Sequence, residues 1–132
     1  MDKNILTAFL ELHKTRNMGV DPKTNKPINR INEEGDPLEK WFKKLFDPTF
    51  ENNEDKYDKE IISHPGSKNN PPDFILRNGD AFEIKKIGNV TTSNIALNSS
   101  FPKDKLYSKD PKLTDDCRNC ESTPWVEKEL FY

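Results

Sequence analysis

The sequence predicts an α/β domain in which helices pack on a mixed β-sheet. Three observations predict this class. Two N-terminal segments have apolar residues at helical spacing, a central segment alternates around an Asn-Gly pair as a hairpin does, and the C-terminal residues have a strand-like pattern. At 132 residues, the chain has the length of one domain or part of one.

The composition is polar, with 33% charged and 32% hydrophobic residues and a mean hydropathy of −0.97. The apolar residues are clustered, which separates this chain from a disordered tail. No apolar run reaches the length of a membrane span, and the N-terminus has no signal-peptide pattern. Cys117 and Cys120 form a CxxC and not a spaced disulfide framework, so we predict a cytoplasmic protein with no membrane partner.

The first helix is predicted over residues 1–16. Its side chains at helical spacing are Ile5, Leu6, Phe9, Leu10 and His13. A second helix is predicted over 36–46, where Asp36 suits the cap, Pro37 suits the first helical position, and Asp47-Pro48 ends the helix. Its apolar stripe consists of Leu38, Trp41, Phe42, Leu45 and Phe46.

A hairpin is predicted over residues 72–87, and the length of its loop decides what it can do. A two-residue Asn78-Gly79 turn, which Asn-Gly favours, pairs Asp73 with Ile84 and turns Asp73 away from Glu83. A three-residue loop over 77–79, with Gly79 left-handed, pairs Asp73 with Glu83. Lys85 then lies on the same face of the hairpin as Asp73 and Glu83. Phe74 and Phe82 lie on the other face, where they can pack on a helix. A shared site therefore requires the odd loop.

Two carboxylates and a lysine at one hairpin suit a divalent cation and a phosphodiester. Mg²⁺ prefers carboxylate, carbonyl and water oxygens, and the carbonyl of Ile84 between Glu83 and Lys85 adds a ligand to those of Asp73 and Glu83. The lysine can orient a water molecule and offset charge in the transition state. The competing interpretation is an ordinary hairpin with a Glu-x-Lys pair on its wet face.

The segment over 88–124 reads as polar and basic. From Lys85 to Lys112, six lysines stand against two aspartates, although the whole chain has a net charge of −2. A phosphate backbone would lie against such a segment, while a solvated loop is the plainer reading. Residues 125–132 predict the start of a further strand, and we expect the fold to be incomplete at the C-terminus.

Five blocks in order carry a family resemblance: GDPLEKWFKKLF, NNPPDFILRNGDAFEIKKI, IALNSSFPKDKLY, CRNCE and WVEKELFY. Together they resemble the N-terminal half of the NgoPII-type type II restriction endonucleases, of the PD-(D/E)xK nuclease superfamily. The resemblance covers roughly residues 35–132. It implies a restriction-endonuclease-like fold, Mg²⁺-dependent cleavage of double-stranded DNA at GGCC, a homodimer, a cognate DNA methyltransferase and a longer protein.

Carried over by position, Asp73 and Glu83 are expected to be metal-binding catalytic carboxylates and Lys85 the catalytic lysine. Glu39 is either a further metal ligand or, with Asp36, a capping box. The expected DNA contacts, each with a loop, cap or structural alternative, are Lys86, Asn98, Ser99, Ser100, Lys103 and Lys105.

Two questions stay open at the level of sequence, the role of the CxxC and the function of the protein. The CxxC of Cys117 and Cys120 is half of a zinc site, and reduced, partly buried thiols are favoured unless other residues complete it. The protein is a type II restriction endonuclease in the main reading. The alternatives are another PD-(D/E)xK repair nuclease, or a truncated inactive remnant that binds DNA or a protein.

Overall fold

A computed structural model describes residues 3–16, 37–50, 55–85 and 104–132. The first two helices are α1 (Ile5–Arg16) and α2 (Pro37–Phe46), and a short α3 (Asp115–Arg118) follows later. The strands are β1 (Ile62–His64), β2 (Phe74–Leu76), β3 (Ala81–Phe82), β4 (Lys105–Tyr107) and β5 (Glu127–Phe131).

The five strands form one mixed sheet in the order β1-β2-β3-β5-β4. β3 and β5 are parallel, and the other neighbouring pairs are antiparallel. The predicted fold class, a mixed sheet flanked by helices, is confirmed. The C-terminal residues form a strand that is bonded on both sides, between β3 and β4, and not a strand at the edge.

Aromatic residues join α2 to one face of the sheet. Phe74 on β2 and Phe82 on β3 stack with their ring centroids 4.7 Å apart, and Phe46 on α2 lies 5.2 Å from Phe82. Phe42 contacts both strand residues at 6.0 and 5.7 Å. This cluster is buried, as the predicted alternation of the hairpin requires, and it fixes α2 above β2 and β3.

The opposite face of the hairpin packs on the later part of the chain. Ile75 and Ala81 are fully buried there against Leu106 of β4, Leu113 and Cys117 of α3. The hairpin is therefore covered on both faces, which holds the strand ends in a defined place.

α1 presents a different face to the core than its apolar pattern predicts. Leu6, Phe9 and Leu10 are 61–63% exposed, while Ala8 is buried against the α2 cluster with Ile5 beside it. The stripe of Leu6, Phe9 and Leu10 therefore points outward, although its helical spacing is typical of side chains that face a core. The helix begins at Ile5, because the side chain of Asn4 accepts the N–H of Leu6.

The loop of the hairpin has three residues, and this prediction is confirmed. Ile75 pairs with Ala81 and Phe74 with Phe82, and Leu76 donates its N–H to the carbonyl of Asp80. One detail of the prediction is wrong: Asn78, and not Gly79, has the left-handed backbone, with φ 54°. Asparagine tolerates this conformation better than other non-glycine residues, so the loop needs no glycine there.

The composition of residues 88–124 suggests a polar connection, but the segment is more than that. It contains β4 and α3, whose buried residues complete the second core cluster. The expected capping residue Asp36 lies outside the described residues.

Candidate active site

The three-residue loop over 77–79 forms the closed end of the hairpin. Asp73 and Glu83 lie at the opposite, open end. Asp73 immediately precedes β2 and Glu83 immediately follows β3, in continuation of the register that pairs Phe74 with Phe82. The N–H of Glu83 is donated to the carbonyl of Phe131, which ties this position to β5. Lys85 lies within the same group, and its Nζ is 2.5 Å from the carboxylate of Glu83.

Asp73 is the most perturbed carboxyl group of this end. Burial, followed by the charge of Glu83, raises its pKa from 3.8 to about 7. The N–H of Ile84, donated to Asp73 Oδ2, and the charge of Lys43 oppose the rise. A buried carboxyl group with a strongly raised pKa beside a second carboxylate is typical of functional sites.

Glu39 and Lys43 lie one turn apart on α2, beneath this carboxylate pair. Lys43 donates from Nζ to the carboxylate of Glu39 and to the carbonyl of Pro65. Both charges act on Asp73, since Glu39 raises its pKa and Lys43 lowers it. The sequence analysis missed Lys43; its spacing from Glu39, four residues along a helix, is the signal that points to it.

The loop between β1 and β2 closes directly on Asp73. Gly66 has φ +66°, and a Cβ atom built on it would lie 2.3 Å from the carbonyl oxygens of Pro72 and Asp73. Only glycine permits this approach of two backbones. Pro71-Pro72 is a cis peptide, and Asn70 is held by the ring of His64 at 3.2 Å. Gly66, another residue that the sequence analysis missed, therefore determines where Asp73 sits.

The donor atoms at this end suit a hard divalent cation. Asp73 and Glu83 supply carboxylate oxygens, and Mg²⁺ commonly takes one or two carboxylates and completes its shell with water and phosphate oxygens. In the described part of the chain, no three side chains of His, Cys, Asp or Glu lie close enough together to hold a metal ion. Glu39 therefore does not join the other two carboxylates in a three-carboxylate cluster.

The expected DNA-contacting residues are described only in part. Lys105 lies on β4, with its Nζ 2.5 Å from the carboxylate of Glu127 and 3.9 Å from that of Glu129. The others fall outside the described residues, namely Lys86, Asn98, Ser99, Ser100 and Lys103.

The two cysteines are free thiols that contribute to the core. Cys117 is fully buried and Cys120 is half-buried. Burial raises the pKa of Cys117 to about 12, so its thiol is protonated at neutral pH. The backbone carbonyl of Cys120 accepts a hydrogen bond from Arg77 Nη1 at 2.6 Å, which connects the CxxC loop to the hairpin.

Glu121 binds the closed end of the hairpin, and the sequence analysis gave it no role. Its buried carboxylate accepts the N–H of Asn78 at 3.0 Å and pairs with Arg77 at 3.2 Å and with Lys128 at 2.8 Å. This network fixes the three-residue loop, and the loop in turn sets the register that places Asp73 opposite Glu83.

A mixed sheet with flanking helices, and an Asp that faces Glu-x-Lys across its hairpin, define a domain of the restriction-endonuclease-like class. The profile of the NgoPII restriction endonuclease family matches residues 3–132. The chain therefore belongs to the NgoPII restriction endonuclease family.

A curated relative agrees with this assignment. The chain is 41% identical over 132 residues to the type II restriction enzyme NgoPII of Neisseria gonorrhoeae. The match covers 98% of this chain and 46% of the relative, so the chain spans about half of the relative's length. No solved structure matches the chain. Among the described residues, no helix is long and apolar enough to span a membrane.

Proposed function

We propose that this chain carries the catalytic hairpin of a type II restriction endonuclease that hydrolyses double-stranded DNA at GGCC in the presence of Mg²⁺. The observation that carries the proposal is the placement of Asp73 opposite Glu83, with Lys85 beside them, in a member of this family. The proposed partners are a second copy of the chain and a cognate DNA methyltransferase, in the cytoplasm.

Each side chain has a role that follows from its chemistry. Asp73 and Glu83 hold the cation, together with the carbonyl of Ile84. The bound Mg²⁺ supplies Lewis-acid stabilisation of the charge that develops on the phosphate. Lys85 orients the attacking water and adds a positive charge beside the reacting phosphate. The product expected from the family is a 5′-phosphate.

The raised pKa of Asp73 supports a cation at this position. Two carboxylates in a buried place repel each other, and a divalent cation removes that repulsion when it binds. Lys105 is the described member of the proposed DNA contacts. Lys86, Lys103 and the three polar residues 98–100 complete that proposal, since Lys86 precedes the basic segment over 88–124 and the others lie within it.

The test is cleavage of a plasmid that contains GGCC by this chain, with and without Mg²⁺. The Lys85→Ala variant is expected to lose cutting by at least about 100-fold, because it removes a charge next to the reacting group. Lys59 is exposed and precedes β1 in the sequence. The Lys59→Ala variant serves as the matched control and is expected to cut as the unaltered chain does.

The outcome also separates the alternatives. Cutting of branched DNA in preference to GGCC would favour a repair nuclease. A folded chain that binds DNA without cutting it, with or without Mg²⁺, would contradict the proposed activity. It would instead favour a binding module, a possibility raised because the chain spans 46% of its relative.

A further inference from the structure

Lys43 is buried to an extent that is unusual for a lysine. Its side chain is 2% exposed, and its Nζ lies 4.9 Å from the ring centroid of Phe50 and 5.8 Å from that of Phe74. An ammonium group loses hydration in such a place unless a partner compensates it. Methionine would fill the same space between the two rings without that loss. Packing alone therefore does not explain why the position is charged.

The partners of Lys43 connect α2 to the active-site loop. Nζ donates to the carboxylate of Glu39 on the same helix and to the carbonyl of Pro65. Gly66, the next residue, lies against the backbone of Asp73. A change at Lys43 is thus transmitted to Asp73 through two adjoining backbone contacts.

The charges around Asp73 follow a simple pattern. Lys85 is paired with Glu83, and Lys43 is paired with Glu39. Asp73 receives the N–H of Ile84 and no lysine in the hydrogen bonds and ion pairs of the described residues. Three carboxylates and two ammonium groups, when all are ionised, leave one negative charge at this end of the hairpin.

We propose that Lys43 is a positioning residue that holds Glu39 as its counter-ion, so that the pair sets the charge of the metal site and Glu39 is not a metal ligand. This inference rests on the proposed metal-binding role of Asp73 and Glu83. The absence of a three-carboxylate cluster among the described residues agrees with it. The proposal replaces the expected role of Glu39 as a metal ligand, and it leaves the capping box open because Asp36 lies outside the described residues.

The inference predicts opposite effects for the two single variants. Lys43→Met removes a positive charge near the cation, so Mg²⁺ is expected to bind about tenfold more tightly; Glu39→Gln removes a negative charge and is expected to weaken binding about tenfold. The double variant restores the net charge. Its affinity is expected to lie within about twofold of that of the unaltered chain, because both effects are coulombic.

The experiment is isothermal titration of Mg²⁺ into the chain at pH 8 without DNA, for the unaltered protein and the three variants. Lys43→Arg, which retains the charge, is expected to retain the affinity. Near-ultraviolet circular dichroism and the thermal midpoint report whether each variant is folded. A purely structural lysine would lower the midpoint of Lys43→Met and leave its Mg²⁺ affinity unchanged.

The outcomes separate this inference from the proposed function. If the double variant binds as weakly as Glu39→Gln, Glu39 is a ligand and the inference is wrong. Unchanged affinity in a folded Lys43→Met variant also overturns it. In both cases, metal binding that is lost in Asp73→Asn would leave the proposed function intact. An unaltered chain that binds no Mg²⁺ would overturn both.

Discussion

The two ends of one hairpin hold buried carboxyl groups in opposite electrostatic states. At the closed end, Glu121 is surrounded by donors, and hydrogen bonds and charge from Lys128 outweigh the effect of burial, so its pKa is lowered. At the open end, burial and the charge of Glu83 raise the pKa of Asp73 to about 7. Both carboxyl groups are partly buried, and their charged neighbours differ.

This difference separates an end of the hairpin that is stabilised by ion pairs from the end at which we propose the active site. At the closed end, the negative charge is compensated. The side chain of Glu121 is 3% exposed and forms ion pairs with Lys128 and Arg77. The open end keeps an excess of negative charge, which costs stability and favours a cation. The closed end fixes the register of the hairpin, and this register places Asp73 opposite Glu83 at the open end.

The largest expected effect comes from breaking the closed end. Glu121→Gln leaves Lys128, itself buried, and Arg77 without their counter-charge, and is expected to cost about 3–5 kcal/mol of unfolding free energy. Urea unfolding followed by circular dichroism measures this loss. Glu127→Gln, which removes an exposed carboxylate on β5, is the control and should unfold close to the unaltered chain. Equal loss in both variants would show that the closed end has no special role.

The opposite sign is expected at the open end. Asp73→Asn removes the repulsion with Glu83 and should raise the unfolding free energy by about 1–3 kcal/mol at pH 8 in the presence of a chelator, while cutting is lost. The pKa of Asp73 is higher in the folded protein than in the unfolded chain. The stabilisation that its carboxyl group gives to the folded protein is therefore present below about pH 4 and is lost as the pH rises through 7.

The gain from Asp73→Asn should therefore shrink when the same unfolding is measured at pH 5. Asp116→Asn, at an exposed position of α3, is expected to show no such pH dependence. Destabilisation by Asp73→Asn at pH 8 would remove the contrast between the two ends.

The smallest expected effect concerns the backbone of the loop. Asn78→Ala should cost about 1 kcal/mol, because alanine is less tolerant of φ 54°, whereas Asn78→Gly should be nearly neutral. Thermal unfolding of the two variants measures the difference. If alanine and glycine were equivalent, the left-handed residue would not matter for the closed end.

Much of the hairpin could be predicted, because its determinants are local. Alternation placed Phe74 and Phe82 on the buried face, and parity required three loop residues for Asp73 to meet Glu83. Which loop residue is left-handed could not be predicted, since both Asn78 and Gly79 accept that backbone. A Cβ atom built on Gly79 would lie 3.1 Å from the carbonyl oxygen of Lys3, a constraint that the local sequence does not contain.

The outward face of α1 shows where periodicity stops being sufficient. Leu6, Phe9 and Leu10 recur at helical spacing as a core stripe does, yet Ala8 faces the core. Spacing reports that a helix has an apolar side. The choice of the side that packs depends on the shape of α2 and the sheet, which are distant in sequence.

The sequence by itself determined the α/β class, from its periodicity, and the condition that Asp73, Glu83 and Lys85 share a site only if the hairpin loop is odd. The Asn78-Gly79 pair alone favoured the two-residue turn. Only the tertiary structure decided the electrostatic partners. Glu121 meets Asn78 from 43 residues away, and Lys43 reaches Pro65 from 22. A charge buried by distant segments takes its pKa from neighbours that no local pattern contains.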